Sequence, residues 1–365
     1  MPAMPQNFYN GVFDMKNSET LTQFSCETPL EYWINEYRRG KGKLLSYTLN
    51  RIQWKYYPKR IVPHFPLNVD IEVSSKCQIK CDHCFRQYMD IGENDFMPMD
   101  MYKKIVSECG EEGLFTLKFS MRGEPLLHPN IVEMVQYAKE KGVKEVWINT
   151  NGGPITEDLA YGLIKSGVDW ITVSFDGLGS MYESIRKPLK YEDSLKKLKL
   201  LRQVRDNLNA NTLLNVQTIW SAIKDDPEVY VQLMKSIVDR VAYNPDMNFK
   251  EYILIPDDNF VCPRLWQRIA ITSTGNYLKC PSDFKMEEIL GNVSDYSVKK
   301  AWDILQEQQR QFHHAGRKNE SVVCRNCHHG AKKKSVSVKI EGDERQDFGY
   351  DYKEDFSGCG LHRKN

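Results

Sequence analysis

Three cysteines, Cys77, Cys81 and Cys84, fall within eight residues, just after the run Leu67-Asn68-Val69-Asp70-Ile71-Glu72-Val73, which reads as a strand. Cysteine thiolates are the usual protein ligands of iron–sulfur clusters, which normally take four of them. Three thiols in one loop leave one iron without a protein ligand, and an open metal position is where something other than protein binds and reacts. A zinc knuckle would show two paired ligand motifs. Its local fourth ligand could only be His83, wedged between Cys81 and Cys84. Buried packing thiols are the other alternative. Spacing favours a cluster over both.

Cys262, Cys280, Cys324 and Cys327 form a second group. Four thiolates close a tetrahedral site completely, so a structural zinc and an iron–sulfur cluster both fit this spacing. Cys26 and Cys109 stand alone and read as packing. Cys359 reads as a free thiol near the end, with a ligand or hydrogen-donor role as the alternative. His328 and His329, beside the Cys324/Cys327 pair, read as surface residues.

The elements that must hold these residues follow a repeating pattern. Strands are predicted at Leu67–Val73, Thr116–Ser120, Glu145–Thr150, Trp170–Phe175 and Leu213–Trp220, with a sixth inside Arg240–Ile255, broken by Pro245. Helices fall between them, including one capped by Asp100, one after Pro129, and Tyr191–Arg202 with Leu195, Leu198 and Leu201 on one face. Gly142 and Gly167 fall where helices should stop. Such alternation implies parallel strands with crossover helices, and six units make an incomplete (β/α)6 TIM-like barrel. Barrel chemistry sits at the C-terminal strand ends, where the triple-cysteine loop falls. After residue 256 the alternation gives way to a hairpin, Ile269–Thr272 and Tyr277–Cys280, and a helix over Val298–Gln311. Four segments result: a helical extension over 1–65, the barrel over 66–255, a cysteine module over 256–330 and a charged tail over 331–365, taken as solvated surface.

In this order around the cysteine loop, the strand ends resemble those of the radical S-adenosylmethionine (SAM) superfamily over about residues 67 to 255. Ser120-Met121-Arg122-Gly123-Glu124-Pro125 is similar to that family's Gly-Gly-Glu-Pro motif, with Arg122 in place of the first glycine. The resemblance implies that Gly123 and Glu124 meet the SAM amino group. It places Asn149, Ser174 and Asp176 near the ribose and Arg186 on the SAM carboxylate, where a guanidinium fork suits the acid. Gln217 shares one strand side with Asn215 and Ile219. The second cysteine set resembles a short SPASM/Twitch extension, with Gly275 to Cys280 as its Gly-x4-Cys hairpin, and its cysteine arrangement is similar to that of the 2-deoxy-scyllo-inosamine dehydrogenases. The implied cofactors are a SAM-binding [4Fe-4S] cluster on Cys77, Cys81 and Cys84, a second, auxiliary [4Fe-4S] cluster on the other four thiols, and SAM itself.

The implied reaction is reductive cleavage of SAM to a 5′-deoxyadenosyl radical, hydrogen abstraction, and a two-electron oxidation of a carbohydrate-like alcohol with the auxiliary cluster as electron acceptor. Arg122, Glu124 and His83 lie near the site, and none is assigned as the base. Peptide or protein side-chain modification, and radical epimerisation or dehydration, are the alternatives within the family. A reduced flavodoxin- or ferredoxin-type protein is the implied electron donor.

Bulk properties narrow the field. Fifty Lys and Arg against 49 Asp and Glu give a net charge of +1 in 365 residues, which argues against a nucleic-acid or anionic-membrane partner. The aromatic and basic stretch Tyr32–Arg39 and Trp54–Tyr57 reads as a docking arm for the same reason. Mean hydropathy is −0.56, no apolar run has membrane-spanning length, and the first residues lack the pattern of a signal peptide. The expected location is the cytoplasm, where thiols stay reduced and ten cysteines suggest metal rather than disulfides.

Overall fold

The computed structural model describes residues 24–353, apart from 93, 248–252, 326, 341–342 and 351. Cys359 lies outside this range. A short strand β1 (Phe24–Ser25) leads into helices α1 (Pro29–Gly40) and α2 (Leu44–Tyr56). The barrel then runs β2 (Asn68–Ile71), α3 (Met99–Glu111), β3 (Thr116–Phe119), α4 (Ile131–Glu140), β4 (Glu145–Thr150), α5 (Glu157–Lys165) and β5 (Trp170–Ser174). It continues through α6 (Gly179–Ile185), α7 (Tyr191–Asn207), β6 (Leu213–Ile219), α8 (Pro227–Lys235) and β7 (Arg240–Asn244). β2 to β7 lie side by side in sequence order, all parallel.

Alternation along the strands separates two faces. Val69, Ile71, Leu117, Phe119, Val146, Ile148, Ile171, Val173, Leu214 and Val216 belong to one buried apolar core with Tyr102, Ile105, Met134, Leu163, Leu198 and Leu201 of the crossover helices. The opposite face is the lumen. It carries Asp70, Lys118, Trp147, Asn149, Thr172, Ser174, Asn215 and Gln217, so the side shared by Asn215, Gln217 and Ile219 is the inward one. Gly142 and Gly167 follow α4 and α5 with φ of +86° and +88°, the left-handed turn that lets glycine end a helix. Asp100 does not cap α3: the cap position is Pro98, and Asp100 sits in the first turn, where its charge still suits the helix dipole.

β8 (Ile253–Leu254) leads to the hairpin β9 (Arg268–Ile271) and β10 (Asn276–Leu278), then β11 (Ile289–Asn292). β9 hydrogen-bonds in parallel beside β2, Asn68 opposite Arg268 through Ile71 opposite Ile271. The hairpin therefore extends the barrel sheet, which has ten strands in the order β1-β7-β6-β5-β4-β3-β2-β9-β10-β11 and does not close. Gly275 makes its turn at φ +84°, and a Cβ there would meet Val293 at 2.6 Å. The predicted helix after residue 298 is a longer helical stretch: Val298–Lys300, a π-helical turn Ala301–Leu305, and α9 (Gln306–His314).

The charged stretch after Ala331 is not plain tail. β12 (Lys333–Ile340) and β13 (Asp343–Tyr350) form an antiparallel hairpin, and β14 (Tyr352–Lys353) pairs with β8. Alternation through Ser335-Val336-Ser337-Val338 is the period-two signal that charge composition obscured. At the opposite end of the chain, the bases of α1 and α2 serve the barrel. Arg39 forks onto Glu145 at 3.0 and 3.1 Å, Arg38 meets Asp239 at 2.5 Å and Lys43 meets Asp169 at 2.8 Å. Those acids stand at the beginnings of β4, β7 and β5, so the helices pack on the barrel face away from the cysteine loop. Among the described residues, no helix is long and apolar enough to cross a membrane.

Candidate active site and auxiliary metal centre

The loop after β2 carries Cys77, Cys81 and Cys84 at the C-terminal mouth of the barrel, all three free and partly buried. Neighbouring strand ends hold this loop from below. Gly123 is packed so closely that a Cβ would stand 2.1 Å from the Ser74 carbonyl oxygen and 2.7 Å from that of Lys76. Only glycine admits that approach. The Glu124 backbone N–H donates to the Lys76 carbonyl at 2.7 Å, and Arg86 donates to the carbonyls of Ser75 and Arg122. Two side chains point donors at the sulfurs: Asn151 Nδ2 stands 3.7 Å from Cys77 Sγ and Arg186 Nη1 stands 3.6 Å from Cys81 Sγ. His83 is exposed, so nothing places it as a fourth ligand.

The carboxylates near this loop are engaged by protein. Glu124 is buried and accepts from the Thr150 hydroxyl at 2.6 Å and from the backbone N–H groups of Leu126 and Asn151. Burial outweighs these hydrogen bonds and raises its pKa to about 7. Asp176 accepts from Arg186 Nε at 2.6 Å and from the Ile219 N–H at 3.1 Å, so it orients the guanidinium. Arg186 is held charged, its pKa raised well above the usual range by Asp176 against the cost of burial. Asn149 lines the lumen, and its buried Oδ1 accepts no hydrogen bond from the described residues, an acceptor left for a ligand. Ser174 stands half-buried on the same face.

Arg122, the departure from the glycine pattern, turns away from the mouth. Its side chain is fully buried and forks onto Glu72 at 2.6 and 2.8 Å, with Nη1 on the Ile91 carbonyl. Glu72 also accepts from the N–H and hydroxyl of Ser273 at 3.3 Å. One buried ion pair thus joins the end of β2, the Gly123-Glu124 turn and the hairpin turn after β9. A charged residue at the end of an apolar strand was the sequence signal for Glu72.

The structure gathers the second cysteine set. Cys262, Cys280, Cys324 and Cys327 line one pocket, closed by Phe260, Leu265 and Val323 and approached by His313, Lys279 and Lys318. The Cys262 N–H donates to His313 Nδ1 at 3.4 Å, which leaves the proton on Nε2, 3.4 Å from Cys324 Sγ. Burial lowers the His313 pKa to about 4, keeping the ring neutral. Lys318 is buried with its ammonium on the Gly330 carbonyl, and Lys279 pairs with Glu288 at 3.0 Å. His328 and His329 are buried rather than surface residues, because the Cys327–Gly330 turn folds inward. Among the described residues, no three His, Cys, Asp or Glu side chains converge as single-ion ligands. Four thiols around one pocket are a donor set for an iron–sulfur cluster or a zinc ion.

Residues 71–225 match the radical SAM superfamily, and residues 262–328 match SPASM, an iron–sulfur cluster-binding domain. The chain thus carries a radical SAM domain, of the kind that binds SAM and a [4Fe-4S] cluster, and a C-terminal SPASM domain, of the kind that binds auxiliary iron–sulfur clusters. Among solved structures, the fold is similar to that of BtrN in complex with AdoMet and 2-DOIA (20% identity, 72% of this chain and 93% of that one, TM-score 0.51). It is also similar to Streptococcus suis SuiB bound to S-adenosylmethionine (14% identity, 82% of each chain, TM-score 0.52). At these identities the likeness shows the fold alone. Among curated relatives, a tungsten-containing aldehyde ferredoxin oxidoreductase cofactor-modifying protein of Pyrococcus furiosus is 30% identical over 34% of this chain and 39% of its own length. The Fe-coproporphyrin III synthase of Methanosarcina barkeri is 25% identical over 47% of this chain and 42% of its own length. The chain spans less than half the length of either.

Proposed function

We propose that the protein oxidises an alcohol carbon of a small carbohydrate-like molecule, with the auxiliary cluster taking the second electron. When bound, the first cluster and SAM supply a 5′-deoxyadenosyl radical that removes a hydrogen atom from substrate. This chain's residues do the rest. Cys77, Cys81 and Cys84 would hold the first cluster and leave one iron for SAM. Gly123 and Glu124 would face the SAM amino group, Asn149 and Ser174 the ribose, and Arg186, aimed by Asp176, the carboxylate.

The observation that carries the oxidative reading is the four-thiol pocket. Cys262, Cys280, Cys324 and Cys327 would satisfy every iron of a second cluster, leaving no site for substrate, and electron transfer is the role that survives full ligation. BtrN, whose structure was solved with AdoMet and 2-DOIA, offers a fold-level parallel. The test is Cys324→Ala in anaerobically reconstituted protein. Deoxyadenosine release with dithionite and SAM should persist while net two-electron oxidation of substrate stops. Continued normal turnover would remove the electron-acceptor role.

A peptide substrate is the second reading. SuiB has been solved bound to its precursor peptide SuiA, and here Trp33, Ile34, Leu45 and Leu49 of α1 and α2 are exposed apolar side chains. An epimerase or dehydratase would release product at the substrate's own oxidation level, so product stoichiometry separates it from both.

A further inference from the structure

At one level of the barrel lumen the charges do not balance. Asp70 and Lys118 are cross-strand partners on β2 and β3, and Lys118 is opposite Trp147 on β4. The Lys118 ammonium makes no close ion pair or hydrogen bond with a described residue, and Asp70 acts on it only at longer range; it lies 4.3 Å from the centre of the Trp147 ring. Asp70 is already committed to Arg268, at 3.1 Å. The buried Arg268 Nε has no hydrogen-bond acceptor among the described residues. Arg264, on the turn just after Cys262, lies within electrostatic reach of both Lys118 and Arg268. Cys262 is a further electrostatic neighbour of both Arg264 and Arg268. Three cations share one carboxylate and the Cys262 thiol in a desolvated interior, where uncompensated charge is costly.

We infer that the lumen beside Cys262 binds an anionic group of the substrate, a phosphate ester or a carboxylate, through Lys118 and Arg264. This deepens the proposed function by naming a chemical class, and it rests on that reading for the word substrate. Lys118 stands two residues below the end of the β3 region at Ser120, roughly 7 Å at strand rise. A small molecule anchored there reaches upward to the strand ends, past Asn149 and its unpartnered Oδ1. Trp147 and the Asn215–Thr172 pair supply a flat face and polar edges along the way. Burial pushes the Lys118 pKa down to about 8, with Arg268 and Arg264 acting in the same direction and Asp70 opposing. A bound anion reverses that strain, since it favours the charged ammonium.

The test uses the full, anaerobically reconstituted chain with SAM, titrated calorimetrically with inorganic phosphate, acetate and neutral glycerol. One saturable anion site is expected, with the phosphate and acetate arms deciding which group it prefers. Lys118→Met and Arg264→Gln should each weaken it about tenfold or more, the loss of one charge-assisted hydrogen bond. Lys118→Arg should restore much of the affinity, which a misfolded variant would not. No saturable binding of either anion, or binding unchanged in both Lys118→Met and Arg264→Gln, overturns the inference. Deoxyadenosine release by the wild-type protein without added anion tests the radical reading separately. Its absence with anion binding intact leaves the lumen site standing; the reverse removes the site alone.

Discussion

The two thiol sets are built to opposite ends. The loop of Cys77, Cys81 and Cys84 is short of one ligand and is surrounded by polar groups that point at it, Asn151 and Arg186, with the buried Glu124 behind. The pocket of Cys262, Cys280, Cys324 and Cys327 gathers four thiols, walled by Phe260, Leu265 and Val323 and approached by the neutral His313 ring and by Lys279 and Lys318. A site that must admit and orient a charged ligand keeps polar partners in reserve. A site proposed only to hold charge and pass it on needs no open position.

The sharpest way to break this contrast is Cys81→Ala. It should remove roughly half of the bound iron and abolish deoxyadenosine release, whereas the corresponding change at Cys324 should leave that release in place. Iron and sulfide analysis with product chromatography decides it. Next in size is Arg122→Met, which leaves the buried Glu72 carboxylate without its partner and should cost about 3–5 kcal/mol in urea unfolding. Replacing Glu72 and Arg122 together with Met should recover most of that loss, because no charge is then left buried alone.

A smaller effect is pH-dependent. Burial raises the Glu124 pKa to about 7 from an ordinary value of 4.5. Between those values the unfolded chain has lost a proton that the folded one keeps, so stability falls as pH rises from 4.5 to 7 and then levels, by at most about 3 kcal/mol from this group. Urea midpoints of the apo-protein across that range should show the slope, and Glu124→Gln should flatten it. The most modest change is His313→Leu. Removing the Nε2–H donor from Cys324 should lower the auxiliary cluster's midpoint potential in an EPR-monitored titration, leaving the first cluster's potential where it was. Equal shifts in both would show that the two sets do not have separate environments.

Much of this was legible in the chain. The triple-cysteine spacing, the six strands and the Gly275 hairpin turn are local signals, and β4 runs over Glu145–Thr150 as the pattern predicts. What stayed hidden depends on partners distant in sequence. The alternation of Ile269–Thr272 gives a strand but not its neighbour, so the pairing of β9 with β2 could not be read. Arg122 looked like a site residue because it occupies a motif position, yet its partner Glu72 lies fifty residues away. His313 sits in a helix whose pattern says nothing of the thiol it faces. Lys118 reads as an ordinary outward lysine until the strand's inner face is known.

The parallel ladder between β2 and β9 bears on how the protein could be divided. Sequence suggests a cut near residue 256, freeing the barrel from its cysteine module. In space that cut would strip β2 of a hydrogen-bonded neighbour and expose a raw sheet edge, the kind of surface that recruits other chains. It would also take Ser273 from Glu72, loosening the same carboxylate that clamps Arg122 beside the Gly123-Glu124 turn. The interval between the two metal centres is accordingly set by rungs of a shared sheet rather than by a tether. On the proposed reading, an electron passing between them would cross a span held by that sheet.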